Sequence, residues 1–161
     1  MLELGVGAGV EASCALAERA TFTGIDVSAE QLRRARERIP RATLIEADFT
    51  RLELPDESFD AVVAFYVLNH VPQDRLAPLL RTVSRWLRPG GYFLASFPTG
   101  ENAGWAGEWL GTKMFFAGFD AATNRRLVEV GLEVLRDERE TMVEPDYGEV
   151  TWQWLFAQKP Q

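Results

Sequence analysis

The chain has 161 residues, 47% of them hydrophobic and 25% charged, which suits one globular domain with a continuous core and excludes a disordered chain. Its 17 basic and 24 acidic residues give a net charge of -7, which repels a phosphate backbone. The longest apolar run, Ala61 to Leu68, is too short to cross a bilayer and no N-terminal signal segment is recognisable, so a cytoplasmic protein with no membrane partner is expected.

One cysteine, Cys14, excludes an intramolecular disulfide, and one histidine, His70, excludes a His-rich zinc site, so no metal is expected. Arg33, Arg34, Arg36, Arg38 and Arg41 form the most basic stretch, but Glu30 and Glu37 are interleaved and no aromatic residue accompanies them. They read as a solvated helix face, and nucleic acid is not expected as a partner.

No repeat or linker divides the chain, which is read as a single domain over 1–161. Leu2 to Leu4 is a strand stub running into Gly5, and the alanine-rich stretch Val10 to Ala20 predicts a helix. Phe22 to Val27 predicts a second strand. Ser28 and Gln31 form a capping box, followed by Leu32, Ala35 and Ile39 at helical spacing, with Pro40 as the stop. Thr43 to Ala47 predicts the third strand, and the apolar run Phe59 to Leu68 a central strand covered on both faces. Leu76, Leu79, Leu80, Val83, Trp86 and Leu87 recur every three or four residues, so a helix ends in the stop signal Arg88-Pro-Gly-Gly91.

Tyr92 to Phe97 predicts the fifth strand. Thr99 to Phe119 is a long excursion containing Trp105, Trp109, Met114, Phe115 and Phe116, open between an aromatic lid and a helix packed on the sheet. Asp120 caps a helix through Val130, and Leu132 to Thr141 and Glu149 to Ala157 predict an antiparallel hairpin around Pro145, Asp146 and Gly148. Strand and helix in strict alternation predict an α/β fold: a doubly wound, mostly parallel sheet with helices on both faces, which binds ligands at the carboxyl ends of its strands.

Those ends carry the chemistry. Glu3-Leu-Gly-Val-Gly-Ala-Gly9 has glycines at every second position, leaving room for a tight turn and for backbone N–H groups to approach a ligand. Its third glycine comes one residue too early for a dinucleotide fingerprint, and no Gly-Lys-Ser/Thr follows. Asp26 closes the second strand where a carboxylate can take two ribose hydroxyls. Asp48, beside Phe49, can accept from an exocyclic adenine amine while the ring packs on its face. Phe65 to His70 end the fourth strand at the same crevice.

This combination resembles the class I S-adenosylmethionine-dependent methyltransferases. The matching pieces are ELGVGAG at 3–9, GIDVS at 24–28, EADF at 46–49, FDAVVAFYVLNHVP at 59–72 and LRPGGYFLASFP at 87–98. The resemblance implies a Rossmann-like, seven-stranded sheet whose last hairpin inserts an antiparallel strand, with 99–119 as a substrate-side insertion. It further implies that Glu3 and the turn Gly5, Val6, Gly7 hold the methionyl end of S-adenosylmethionine, the product being S-adenosylhomocysteine. Asp26 and Val27 would meet the ribose, Asp48 and Phe49 the adenine, and Phe65 and Tyr66 the sulfonium side.

His70, the one side chain titrating near neutrality, is the candidate general base for methyl transfer to O, N or C of a small-molecule acceptor. Met1 lies four residues before Gly5, whereas relatives carry helices ahead of this strand; a crevice uncovered there is expected to bind cofactor more weakly or to expose apolar surface that favours a homodimer. Two other functions compete. One is a cofactor-binding but catalytically weak partner or regulatory domain. The other is a nicotinamide-dependent oxidoreductase, against which stand the glycine spacing and the lack of a Tyr-x-x-x-Lys pair.

Overall fold

The computed structural model describes residues 1–109, 111–144 and 148–161. Its first half alternates strand and helix: β1 (Leu2–Leu4), α1 (Glu11–Ala17), β2 (Thr23–Asp26), α2 (Ala29–Arg38), β3 (Thr43–Glu46) and β4 (Phe59–Ala64). After a short 3-10 turn over Leu68–His70 come α3 (Gln73–Trp86) and β5 (Leu87–Pro98). The second half contains β6 (Asn102–Trp109), β7 (Thr112–Gly118), α4 (Ala121–Glu129), β8 (Glu133–Glu144) and β9 (Gly148–Gln158).

Seven strands join in the order β3-β2-β1-β4-β5-β9-β8. The five from β3 to β5 are parallel, while β9 lies antiparallel between β5 and β8. Short β1 sits at the centre because Leu2 and Leu4, both fully buried, pack with α3 residues such as Leu76 and Val83. The opposite face of the sheet is sealed by Val6, Phe22, Leu32, Ala35 and Ile39. The helices therefore lie on both faces, as predicted. The turn containing Pro145 and Asp146 lies outside the described residues.

Caps fix the helix starts. The Ser28 hydroxyl accepts from the Gln31 N–H at 3.3 Å, whereas the reciprocal half of the predicted box does not form because the Ser28 N–H already donates to Asp26 Oδ1 at 2.9 Å. Asp120 caps α4 by accepting from the Thr123 N–H at 2.9 Å. Ser28→Ala is expected to cost about 1 kcal/mol, read as a lower urea midpoint at unchanged slope. On α2, Arg33 pairs with Glu30 at 2.9 Å and with Glu37 at 2.7 Å, and Arg34 pairs with Glu30 at 2.8 Å, all on an exposed surface.

Three boundaries differ from the sequence reading. The apolar run from Phe59 leaves the sheet at Ala64, because Tyr66 takes a left-handed conformation (φ 51°) and its N–H donates to the buried Ser96 hydroxyl at 2.7 Å. Leu87 to Gly91 belongs to β5 rather than ending a helix: Leu87 aligns with Phe59, and after a shift in register Tyr92 aligns with Ala61. Residues 99–119 do not form the packed helix that was one of the two expectations; most of them form the hairpin β6–β7, a separate two-stranded sheet.

Candidate active site

At the carboxyl end of β1 the chain turns sharply through Gly5 (φ 70°) and Gly7 (φ 53°), conformations that glycine adopts without steric cost. The turn folds its own N–H groups back onto β2. Gly5 and Val6 both donate to the Ile25 carbonyl, at 2.8 and 3.0 Å, and Gly7 donates to Asp26 Oδ2 at 2.9 Å. These three donors are engaged within the chain, and the turn leaves room beside them. A Cβ on Gly7 would meet no atom within 4 Å, so open space lies over it.

Glu3 stands on β1 with 2% of its surface exposed, alternating with Leu2 and Leu4 and so facing the other side of the sheet. Its Oε2 is buried and has no hydrogen-bond partner among the described residues. Burial pushes the carboxyl up to about 7, against a smaller opposing pull from the neighbouring Ser13 hydroxyl. A buried acceptor without a donor costs free energy unless a ligand satisfies it. A cationic group is the complement this carboxyl lacks.

Asp26 accepts two backbone N–H groups, Gly7 at Oδ2 and Ser28 at Oδ1, each at 2.9 Å, so it clamps the glycine turn to the start of α2. Each carboxylate oxygen keeps a second lone pair for a hydroxyl. Val27 next to it is 65% exposed, an apolar surface at the strand end. Asp26→Ala is expected to weaken S-adenosylhomocysteine binding by about 1 to 3 kcal/mol, measured by calorimetry, through both the lost acceptor and the loosened turn.

Asp48 is more engaged than the sequence implied. Its Oδ1 accepts from the Thr50 N–H at 2.9 Å and the Thr50 hydroxyl at 2.6 Å, while Arg51 and Arg75 approach Oδ2 at 3.5 and 3.9 Å. Burial alone would raise this carboxyl, but Thr50 and the two arginines outweigh it and hold it below the usual carboxylate range. Phe49 is 8% exposed and packs within the main core.

The fourth strand end faces a different neighbourhood. Phe65 lies against Trp154 at 5.8 Å, and Tyr66 meets Trp152 and Trp154 edge-on at 4.9 and 5.4 Å. Tyr66 lines a cavity of about 620 Å³ together with Asn69, His70, Trp105, Phe116 and Trp152, among others, whereas Phe65 does not border it. Trp152 and the β9 residues were missed from the sequence, although their spacing, Trp152 and Trp154 two apart, marks one strand face.

His70 borders the same cavity and contacts Phe116 at 4.9 Å between ring centres. Its Nδ1 lies 2.8 Å from the Phe115 carbonyl oxygen. A carbonyl can only accept, so the proton sits on Nδ1 and the lone pair on Nε2. Burial lowers the imidazole from its ordinary value of 6.5, outweighing the Phe115 hydrogen bond, so the ring is neutral at pH 7.

Residues 2–95 match the family described as a methyltransferase domain, the stretch that carries β1 to β5 up to Ala95. The phosphatidylethanolamine N-methyltransferase of Cereibacter sphaeroides is 37% identical over 97 residues, covering 56% of this chain and 46% of that protein. The 27-O-demethylrifamycin SV methyltransferase of Amycolatopsis mediterranei is 36% identical over 116 residues, covering 64% and 42%. The chain thus spans under half the length of these relatives. A solved S-adenosylmethionine-dependent methyltransferase from Methanosarcina mazei superposes with a TM-score of 0.84 at 18% identity, over 99% of this chain and 91% of the other, a likeness of fold. Its sheet order, its strand-end motifs and the matched stretch agree, and the chain belongs to the class I S-adenosylmethionine-dependent methyltransferase family.

Proposed function

We propose that the protein transfers a methyl group from S-adenosylmethionine to a small-molecule acceptor seated in the cavity beside Tyr66 and His70. The observation that carries this reading is Glu3: a carboxyl on β1, buried, unpartnered at Oε2 among the described residues and two residues before the glycine turn. Glu3 would hold the methionyl amine, Asp26 the ribose hydroxyls with Val27 against the sugar, and Asp48 the adenine amine with Phe49 beneath. S-adenosylmethionine, when bound, supplies a methyl carbon that a nucleophile attacks in line as the carbon–sulfur bond breaks, the electron pair staying on a then-neutral sulfur, so no metal is needed.

The protein's part is alignment and proton transfer. Tyr66 is held by Ser96 at the junction of crevice and cavity, which fixes one wall before any ligand arrives. Nε2 of His70 takes the proton of an O–H or N–H acceptor. Relatives named for phosphatidylethanolamine and for 27-O-demethylrifamycin SV support an acceptor that is not a macromolecule.

Calorimetric titration with S-adenosylhomocysteine, with NAD as control, tests the reading without knowledge of the acceptor; micromolar binding of the former alone is the expected result, and binding of neither overturns it. His70→Ala is expected to leave that affinity within about twofold while lowering turnover about a hundredfold, measured as label transferred from S-adenosylmethionine to acceptors in a screen.

A further inference from the structure

The cavity beside His70 carries charge of one sign. Glu101 before β6, Glu144 at the end of β8 and Glu149 at the start of β9 line it, and no lysine or arginine does so among the described residues. Its aromatic walls are set by ring contacts: Trp105 stacks on Phe116 at 4.8 Å and 19°, and Tyr66 meets Trp152 at 4.9 Å. The Tyr66 phenol registers the local field: burial first, then the charges of Glu140 and Glu144, raise its pKa.

Carboxylates and aromatic π-systems favour one kind of guest. A carboxylate or phosphate would enter against three negative charges with no cation to receive it. A neutral apolar guest would displace water from those carboxylates without compensating their charge. Resting on the methyltransferase reading, we propose that this pocket selects acceptors carrying a protonated nitrogen, an organic ammonium or guanidinium, recognised by Glu144, Glu149 and the rings of Trp105 and Trp152. The cation is the handle and a different atom is methylated, because a protonated nitrogen has no lone pair to attack with. The net charge of -7 adds long-range attraction for such a guest.

The test is calorimetric titration of the full chain, with and without saturating S-adenosylhomocysteine, with three probes that share a benzyl group: benzyltrimethylammonium, its carbon isostere neopentylbenzene, and phenylacetate. The ammonium is expected to bind at least about tenfold more tightly than either of the others. In Glu144→Gln/Glu149→Gln this advantage should fall about tenfold with neopentylbenzene unchanged, whereas Glu18→Gln, which removes a charge at the far end of α1, should alter ammonium affinity less than about twofold. Equal affinity for the ammonium and its isostere overturns the proposal, as does tighter binding of phenylacetate or an equal loss in Glu18→Gln. The S-adenosylhomocysteine titration separates the two readings: its binding without ammonium preference overturns the cation selectivity alone, and ammonium preference without its binding supports the selectivity while overturning the methyltransferase reading.

Discussion

Glu3→Gln is expected to weaken S-adenosylhomocysteine binding about ten- to a hundredfold, yet to stabilise the ligand-free protein above pH 7 by up to about 3 kcal/mol. Both effects come from one buried carboxyl raised from its ordinary 4.5 to about 7. Between those values the folded chain keeps a proton that the unfolded chain has released, so stability falls as pH rises through this window and levels off above it. The cationic amine of a bound ligand reverses the preference: it favours the carboxylate, expels the proton, and makes affinity climb with pH up to about 7. Glutamine removes the cost of the buried charge and the attraction together. His70 works in the opposite sense, since burial lowers its pKa and its contribution falls as pH drops below 6.5. The difference between parent and Glu3→Gln therefore isolates Glu3. Thermal midpoints of both proteins from pH 5 to pH 8 read it, and parallel curves would refute the assignment.

Gly5→Ala is expected to cost about 3 kcal/mol of stability, from two sources that act at one atom. At φ 70° an alanine is in the left-handed region, and its Cβ would lie 2.4 Å from Val67 Cγ2, 2.8 Å from Val67 Cβ and 3.2 Å from Cγ1. A β-branched side chain has no soft rotation by which to retreat. Adding Val67→Ala removes both γ-carbons and should restore part of the loss, leaving the backbone strain and the 2.8 Å approach to the remaining Cβ. Urea denaturation of the two single variants and the double variant measures the coupling, and strict additivity would show that the clash is relieved elsewhere.

The positions proposed for the cofactor were legible as strand ends, because strand ends announce themselves. Gly5, Asp26 and Asp48 each follow a short β-rich run, and Ser28 and Asp120 mark the helix starts as caps. What stayed hidden was how completely the neighbours use those groups. Nothing in the sequence shows that Gly5, Val6 and Gly7 spend their N–H groups on β2, or that Thr50 occupies Asp48 Oδ1, because both facts depend on how the loops close. The acceptor half was less readable still. Tyr66 sits inside an apolar run that reads as continuous strand until Ser96, thirty residues away, captures its N–H. The hairpin β6–β7 holds Trp105, Phe115 and Phe116, and such an aromatic cluster reads equally as a lid or a packed helix until pairing is known.

The hairpin also limits how this protein could change its acceptor over time. It pairs only with itself, outside the seven-stranded sheet, and is anchored at its base where Gln73 Nε2 donates to the Gly118 carbonyl at 2.7 Å. Such a unit can be lengthened or exchanged without disturbing the sheet. Yet Phe115, whose carbonyl holds the proton on His70 Nδ1, belongs to β7. Any replacement hairpin that repositions the aromatic wall also decides the tautomer of the imidazole. On the proposed reading, exchanging the hairpin changes the cavity wall and the His70 tautomer together, and a successful swap has to carry a carbonyl to the same place.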